Sequence, residues 1–240
     1  MRLLVLIFSL LCSPAWAEEV ELELVLLADA SGSITDYEIQ FQRQGYADAI
    51  TDPAVLAAIA GTNYGSIAVT YVEWAANTAV VVDWKKIDGP ESAAAFASAL
   101  TAPPRQAFGR NAIGAALLDG KRLIETNEFT GWRKVIDFSG DSPNNFSGPS
   151  IEEARQEVIS AGITINALPI LCRFCDTPVR YADLGKIYEE QIIGGMGAFV
   201  ITAVSEKDLA VAIRRKLILE IAGTMPERRA EIKADGNPIE

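Results

Sequence analysis

The chain has 240 residues, half of them hydrophobic, with 21 basic and 32 acidic side chains and a formal net charge of −11. A chain of this length and apolar content can bury one sizeable core, and its acidic surface argues against nucleic acid or an anionic membrane as a partner. The sequence contains no histidine, which excludes Ser-His-Asp and Cys-His catalysis and histidine-ligated zinc.

The first 17 residues are predicted to be a secretory signal peptide. Arg2 precedes an apolar run over residues 3–11, and Ala15-Trp16-Ala17 matches a small-x-small cleavage site. A membrane-spanning helix needs about 20 apolar residues, and this run has about half that number. We therefore expect an exported mature chain, secreted or periplasmic, that begins at Glu18.

The first predicted strand leads into a short polar loop. Residues 22–28 are nearly all apolar, as expected for a strand buried on both faces of a parallel sheet. The chain then reads Asp-Ala-Ser-Gly-Ser over residues 29–33, and a helical pattern begins at Thr35 or Asp36, both favoured as N-caps. The loop therefore lies at the carboxyl end of a strand, which is where open α/β folds bind ligands.

Helices and strands alternate along the rest of the chain. Residues 37–60 have helical spacing, with an interruption at Asp52-Pro53. The strands predicted over residues 65–72 and 79–84 are joined by a turn too short for a parallel crossover, so they form an antiparallel hairpin. The other predicted elements are helix 91–100, helix 111–124, strand 134–138, helix 151–160, strand 163–171, helix 181–192, strand 198–201 and helix 206–221.

This alternation predicts a three-layer, doubly wound, Rossmann-like α/β domain over residues 18–223. Its sheet is expected to be mostly parallel with one antiparallel edge strand. A polar tail is expected over residues 224–240.

The loop after the first predicted strand carries oxygen-bearing side chains that suit a hard cation. They are Asp29, Ser31 and Ser33. One carboxylate with two hydroxyls is a poor nucleophilic group without a base. It is a reasonable half-site for Mg²⁺, which takes oxygen ligands and usually retains several waters.

The order and spacing of three predicted loops resemble the metal-ion-dependent adhesion site of von Willebrand factor A domains. The resemblance rests on Asp-x-Ser-x-Ser over residues 29–33, Gly-Arg-Asn-Ala-Ile-Gly over 109–114 and Ser-Gly-Asp-Ser over 139–142. More narrowly, the chain resembles a secreted bacterial branch of that superfamily whose members have no assigned function. The resemblance implies one Mg²⁺ or Mn²⁺ ion, held by Asp29, Ser31, Ser33, Asn111 and Asp141.

Within that set, the resemblance implies that the two serines contact the ion, while the two aspartates hold its waters and balance its charge. A carboxylate from a partner protein then completes the coordination. Asn111 stands where the family usually has threonine, and two interpretations remain open: it only caps the following helix, or it also ligates the ion. For Asp29 and the serines, the alternative is a metal-free remnant in which they bind backbone amides at the helix start.

Side chains beside the metal set form a predicted partner-binding rim, which consists of Phe108, Arg110, Asn144 and Asn145. The loop over residues 143–148 is also rich in residues that favour ordinary turns.

Cys172 and Cys175 are the only cysteines of the predicted mature chain. In an oxidising compartment they are expected to form a short-loop disulfide. The alternative is a thioredoxin-like redox pair, which needs its first cysteine at a helix N-terminus; Asp176 and Pro178 delay the helix here.

The leading hypothesis is an exported module, not an enzyme, that binds a partner protein through a divalent cation. The alternatives are a metal-free scaffold of the same fold and a hydrolase that uses Gly140-Asp141-Ser142. The hydrolase hypothesis is the weaker alternative because this chemistry needs a histidine base, and the chain has none.

Overall fold

A computed structural model describes residues 17–171, 181, 183–204 and 206–223. Three predicted features lie outside these residues: positions 1–16 of the signal peptide, the cysteine pair Cys172 and Cys175, and the tail over residues 224–240.

The described residues form an alternating series of strands and helices. In chain order these are β1 (Glu18–Asp29), α1 (Asp36–Ile50), α2 (Pro53–Ala60), β2 (Ile67–Trp74), β3 (Thr78–Ile87), α3 (Pro90–Thr101), α4 (Ile113–Glu125), β4 (Phe129–Gly140), α5 (Ile151–Ser160), β5 (Thr164–Pro169), α6 (Leu184–Gln191) and α7 (Glu206–Ala222). The predicted interruption after the first helix is confirmed, because Asp52 caps α2 by accepting a hydrogen bond from the backbone of Ala54 at 2.8 Å.

The strands form one sheet in the order β3-β2-β1-β4-β5. All neighbours are parallel except β2 and β3, which form the predicted antiparallel hairpin at the edge. Leu27 of the central strand pairs with Val72 on one side and with Phe138 on the other. The carboxyl ends of β1, β2 and β4 therefore lie side by side.

Helices cover both faces of the sheet, which explains why β1 is apolar from Leu24 to Ala28. Leu24 and Leu26 pack with residues of α1, α2, α3 and α7. Val25 and Leu27 point the other way and pack with residues of α4, α5 and α6. Alternate side chains of a strand face opposite sides, so a central strand between two helical layers has no solvent-facing position.

The strand predicted over residues 198–201 is not a strand in the structure. Val200 and Ala203 instead form isolated parallel bridges with Ala167 and Ile170. The segment follows β5 and makes some of the backbone hydrogen bonds of a sixth strand, such as Ile201 N to Ala167 O at 3.1 Å. A segment of this kind has the apolar sequence pattern of a strand but lacks the regular backbone hydrogen bonds of one.

A buried ionic cluster lies between α7 and the sheet. Lys216 Nζ is 2.7 Å from Asp137 Oδ1 and 2.5 Å from Glu220 Oε1, and these side chains are almost fully buried. Asn166 Nδ2 also donates to Glu220 Oε1, at 3.0 Å. Burial, offset only in part by Lys216, raises the pKa of Glu220 from 4.5 to about 7.

We expect Glu220→Gln to remove part of the pH dependence of folding. The pKa of the Glu220 carboxyl is about 7 in the folded chain and near 4.5 in the unfolded chain, so the folded state binds the proton more tightly between these values. The free energy of unfolding of the wild type should therefore fall by roughly 3 kcal/mol, relative to the variant, as the pH rises through that window. Urea unfolding at a series of pH values measures this difference.

The control is Glu157→Gln, since Glu157 is an exposed residue of α5 that forms an ion pair with Lys121. It should retain the wild-type slope. A Glu220→Gln variant with the same slope as the wild type would show that the Glu220 carboxyl is not held in its neutral form.

Candidate metal centre

The carboxyl ends of β1 and β4 bring two aspartates together. Asp29 is the last residue of β1, and Asp141 directly follows β4. Asp29 Oδ2 accepts a hydrogen bond from the backbone N–H of Asp141 at 3.3 Å. Ser33 Oγ donates to Asp141 Oδ1 at 3.0 Å, and the hydroxyls of Ser31 and Ser33 are hydrogen-bonded at 2.9 Å. The first and third predicted loops therefore meet, and four of the five proposed ligands form one hydrogen-bonded group.

The electrostatics of this group disfavour an ionised Asp29. The side chain is fully buried, and burial, followed by the negative charge of Asp141, raises the pKa of Asp29 from 3.8 to about 7. Hydrogen bonds from the backbone of Ser31 and Asp141 lower it, but by less. A cation at this position would favour the charged carboxylate.

Gly140 allows the end of β4 to approach Asp29 closely. A Cβ atom at this position would lie 2.7 Å from Tyr188 Oη and 3.2 Å from Asp29 Oδ2. The glycine before the third-loop aspartate is therefore required by close packing.

The second loop is joined to the first through backbone. Gly32 N donates to Gly109 O at 2.7 Å. Gly109 has a φ of 104°, which favours glycine, and a Cβ on it would lie 2.7 Å from that of Ala76. This junction brings the chain just before α4 to the Asp-x-Ser-x-Ser loop.

The interpretation of Asn111 as a helix cap is wrong. The N-cap of α4 is Ala112, whose side chain makes no capping hydrogen bond. The backbone N–H of Gly114 is instead bound by Asn145 Oδ1 at 3.3 Å. Asn111 is 6% exposed, and its Nδ2 atom has no hydrogen-bond partner. A buried amide without a partner is unusual, and the oxygen and nitrogen of an Asn side chain are assigned from the hydrogen-bond network.

The side chains present fit a hard cation. The described residues contain no group of three or more His, Cys, Asp or Glu placed to hold a metal. The centre instead combines two carboxylates with two hydroxyls, and Asn111 lies in the loop that is joined to them through the backbone of Gly32 and Gly109. Such a set suits Mg²⁺, which retains several waters, better than it suits a calcium cage or a thiolate zinc site.

Arg105 holds the first loop in shape, a role that its position in the sequence does not indicate. Its guanidinium donates to the carbonyl oxygens of Ala30, Ser31 and Ile34, at 2.8 Å for Ser31 and 2.9 Å for Ile34. An arginine in a polar loop is normally solvated. Only the proximity of the two loops reveals that Arg105 supports the first one.

A buried ion pair anchors the loop between α3 and α4, which we call the α3–α4 loop (residues 102–112). Arg43 Nη2 lies 2.6 Å from Glu73 Oε1, and both side chains are fully buried. Arg43 also donates to the carbonyls of Pro103 and Pro104, and Glu73 Oε2 accepts from the backbone of Gln106 at 2.7 Å. The pair therefore fixes the loop that carries Arg105, Arg110 and Asn111.

The four predicted rim residues differ in accessibility. Phe108 is 58% exposed, and Arg110 is also exposed. Asn144 Nδ2 donates to Ser142 Oγ at 3.0 Å and to Tyr181 Oη at 2.7 Å. Asn145 Nδ2 donates to the carbonyl of Pro149 at 2.8 Å. Because both asparagine side chains are hydrogen-bonded within the protein, we do not include them in the proposed contact surface for a partner.

Ser142, the nucleophile of the hydrolase alternative, is buried against Asn144. Its Oγ atom accepts from the backbone N–H and the side-chain amide of Asn144, at 3.2 and 3.0 Å. Among the described residues, no basic side chain is hydrogen-bonded to this hydroxyl.

The fold is similar to solved structures of von Willebrand factor A proteins. A von Willebrand factor type A protein from Catenulispora acidiphila matches with a TM-score of 0.59 and 17% identity, over 85% of this chain and 43% of that one. Proximal thread matrix protein 1 from the mussel byssus, with a zinc-occupied MIDAS motif, matches with a TM-score of 0.58 and 18% identity, over 85% and 48%. The pilus adhesin SpaC from Lactobacillus rhamnosus GG, in its open conformation, matches with a TM-score of 0.57 and 14% identity, over 84% and 30%.

These likenesses show the fold alone, and the chain spans less than half the length of each of the three proteins. No curated protein matches the sequence. A family model described as "Protein of unknown function (DUF1194)" matches residues 19–225.

Proposed function

This chain belongs to the DUF1194 family, and we propose that it is an exported binding module that engages a partner protein through a divalent cation. The ion is Mg²⁺ or Mn²⁺, and the residues that hold it are Asp29, Ser31, Ser33, Asn111 and Asp141. A carboxylate of the partner completes the coordination. We do not propose an enzymatic activity for this centre.

The observation that carries the proposal is the meeting of Asp29, Ser31 and Ser33 with Asp141, from loops more than a hundred residues apart in the sequence. Two carboxylates held side by side, one of them fully buried, repel each other and are costly without a cation. The further ligand of the proposal is the amide oxygen of Asn111: this side chain is buried with no partner for its Nδ2, and the two ends of an Asn amide are assigned from the hydrogen-bond network. When bound, the ion supplies a positive centre that attracts an anionic group.

Two of the structural neighbours support this proposal through their own roles. One is a pilus adhesin, and another is a byssus protein whose MIDAS motif holds zinc. Export is inferred from the predicted signal peptide. No helix in the ranges that the structure describes is long and apolar enough to cross a membrane.

The proposal is tested by titrating the mature chain with MgCl₂ after treatment with a chelator. A ligand that binds only the native state must raise the midpoint of thermal unfolding. At a ligand concentration of a hundred times the dissociation constant, the free energy of unfolding increases by about 2.7 kcal/mol. Ser33→Ala should weaken this effect, because it removes a proposed direct ligand.

The matched control is Ser98→Ala, since Ser98 is a serine on α3 whose hydroxyl bonds only the preceding turn. It should respond to Mg²⁺ like the wild type. A wild-type chain whose midpoint and calorimetric signal are unchanged by Mg²⁺ and Mn²⁺ would favour the metal-free scaffold.

A further inference from the structure

The rim of the centre carries an arginine whose guanidinium is not paired with a carboxylate among the described residues. Arg110 is exposed, and among the described residues no carboxylate or carbonyl oxygen accepts a hydrogen bond from its guanidinium group. Arg105, on the same loop, is by contrast bound to three carbonyl groups of the first loop. A free guanidinium next to the proposed ion is notable on a chain with a net charge of −11.

Arg110 is held in place by an aromatic ring. Its Cζ atom lies 3.7 Å from the ring centroid of Phe146, which is 50% exposed. Stacking of this kind fixes the plane of a guanidinium and leaves its N–H groups free at the edge. A positioned arginine loses less side-chain entropy when it binds an anion.

The stacked pair lies directly beside the proposed ligand set. Arg110 precedes Asn111 in the chain, and the backbone N–H of Phe146 donates to Asn111 O at 2.8 Å. Phe146 follows Asp141 in the third loop, so the pair connects the second and third loops. Gly109, which precedes Arg110, accepts the backbone N–H of Gly32 at 2.7 Å, so Arg110 follows the junction of the second loop with the first.

We propose that Arg110 binds a second carboxylate of the partner, so that this surface selects an acidic segment of a protein with two carboxylates. One carboxylate lies at the cation and the other at the guanidinium, which offers two parallel N–H donors to it. This inference rests on the proposed function and adds the chemistry of the partner to it. On a chain with a net charge of −11, an acidic segment is favoured where local positive groups offset the overall repulsion, and the proposed ion and Arg110 are two such groups.

The test uses capped synthetic peptides of glycine and serine that carry either one aspartate or two aspartates at three different spacings. Their affinities are measured by fluorescence anisotropy with the wild type and with Arg110→Gln, in Mg²⁺ and in EDTA. In Mg²⁺, the best two-aspartate peptide should bind the wild type about tenfold more tightly than the one-aspartate peptide. Arg110→Gln should lose this advantage and keep the affinity for one aspartate.

Arg122→Gln is the matched control, since Arg122 is an exposed arginine near the other end of α4. It should bind both kinds of peptide as the wild type does. The thermal response of Arg110→Gln to Mg²⁺ should also be unchanged, which shows that the variant is folded and holds its ion.

The possible failures separate the two proposals. Equal binding of the two-aspartate peptides by the wild type and Arg110→Gln, with Mg²⁺ still required, would overturn the role of Arg110 and leave the metal-dependent function intact. Binding that needs Arg110 in EDTA as well would overturn the metal-dependent function. Absence of binding by every peptide in Mg²⁺ would overturn both.

Discussion

Arg43→Met should lower the free energy of unfolding by about 3–5 kcal/mol, because it leaves the carboxylate of Glu73 buried without a countercharge. Both side chains are fully buried at an N–O distance of 2.6 Å. The substitution also removes the donors to the carbonyls of Pro103 and Pro104. It therefore detaches the α3–α4 loop from α1 while most of the apolar packing is retained.

The same change should weaken Mg²⁺ binding by about tenfold, since this loop carries Asn111 and since supporting groups around a metal site typically contribute that much. Chemical denaturation and calorimetry, carried out where the variant is folded, measure the two effects separately. Arg122→Met removes an exposed arginine paired with Asp119 and should change stability by no more than about 0.5 kcal/mol.

A double variant, Arg43→Met with Glu73→Gln, distinguishes a buried charge from lost packing. Gln at position 73 is neutral and keeps an oxygen that can accept the backbone N–H groups of Gln106 and Ala107. The double variant should therefore be more stable than Arg43→Met alone, by about 1–3 kcal/mol. A double variant that is less stable than the single one would indicate that packing, not charge, dominates at this pair.

The fold was predictable because the sequence patterns that indicate its strands and turns are local. The apolar run of β1 from Leu24 to Ala28 indicates a strand covered on both sides, and the short turn between β2 and β3 dictates an antiparallel hairpin. The start of β4 was missed because Gly131 interrupts its pattern. There the backbone N–H of Gly131 donates to the buried carboxylate of Glu23 at 2.7 Å, a contact with a residue far away in the sequence.

The proposed ligands of the candidate centre were predictable from the sequence, whereas the residues that hold its loops in place were less so. Loops at the carboxyl ends of neighbouring parallel strands must lie near one another, which is why Asp29 and Asp141 could be paired from the sequence. The roles of Arg43, Arg105 and Asn145 depend on which loops touch. A charged or amide side chain in a polar stretch is normally solvated, and no periodic pattern indicates that it is buried against another loop.

Asp29→Asn should abolish the stabilisation of the protein by Mg²⁺ while it stabilises the metal-free chain. Removing a buried negative charge from the proposed ligand set should weaken the binding of Mg²⁺ by about 100-fold. The thermal midpoint of the variant should therefore be insensitive to Mg²⁺ concentrations that saturate the wild type.

In EDTA at pH 8 the same variant should be more stable than the wild type, by about 1–2 kcal/mol. The pKa of Asp29 is raised to about 7 in the folded chain from 3.8, so its ionised form destabilises the fold above pH 7 and this penalty disappears in acid. The gain is smaller than the shift alone implies, because an amide has one acceptor oxygen for the N–H groups of Ser31 and Asp141.

Asp48→Asn is the control for both effects of Asp29→Asn, since Asp48 is an exposed aspartate of α1 whose side chain accepts a hydrogen bond from Gln44. It should keep the Mg²⁺ response and show no gain in EDTA. An Asp29→Asn chain that is less stable in EDTA and still binds Mg²⁺ like the wild type would mean that Asp29 acts only as an acceptor for backbone amides. Opposite signs in the two conditions indicate instead that Asp29 is kept at a cost to stability because the ion requires its charge.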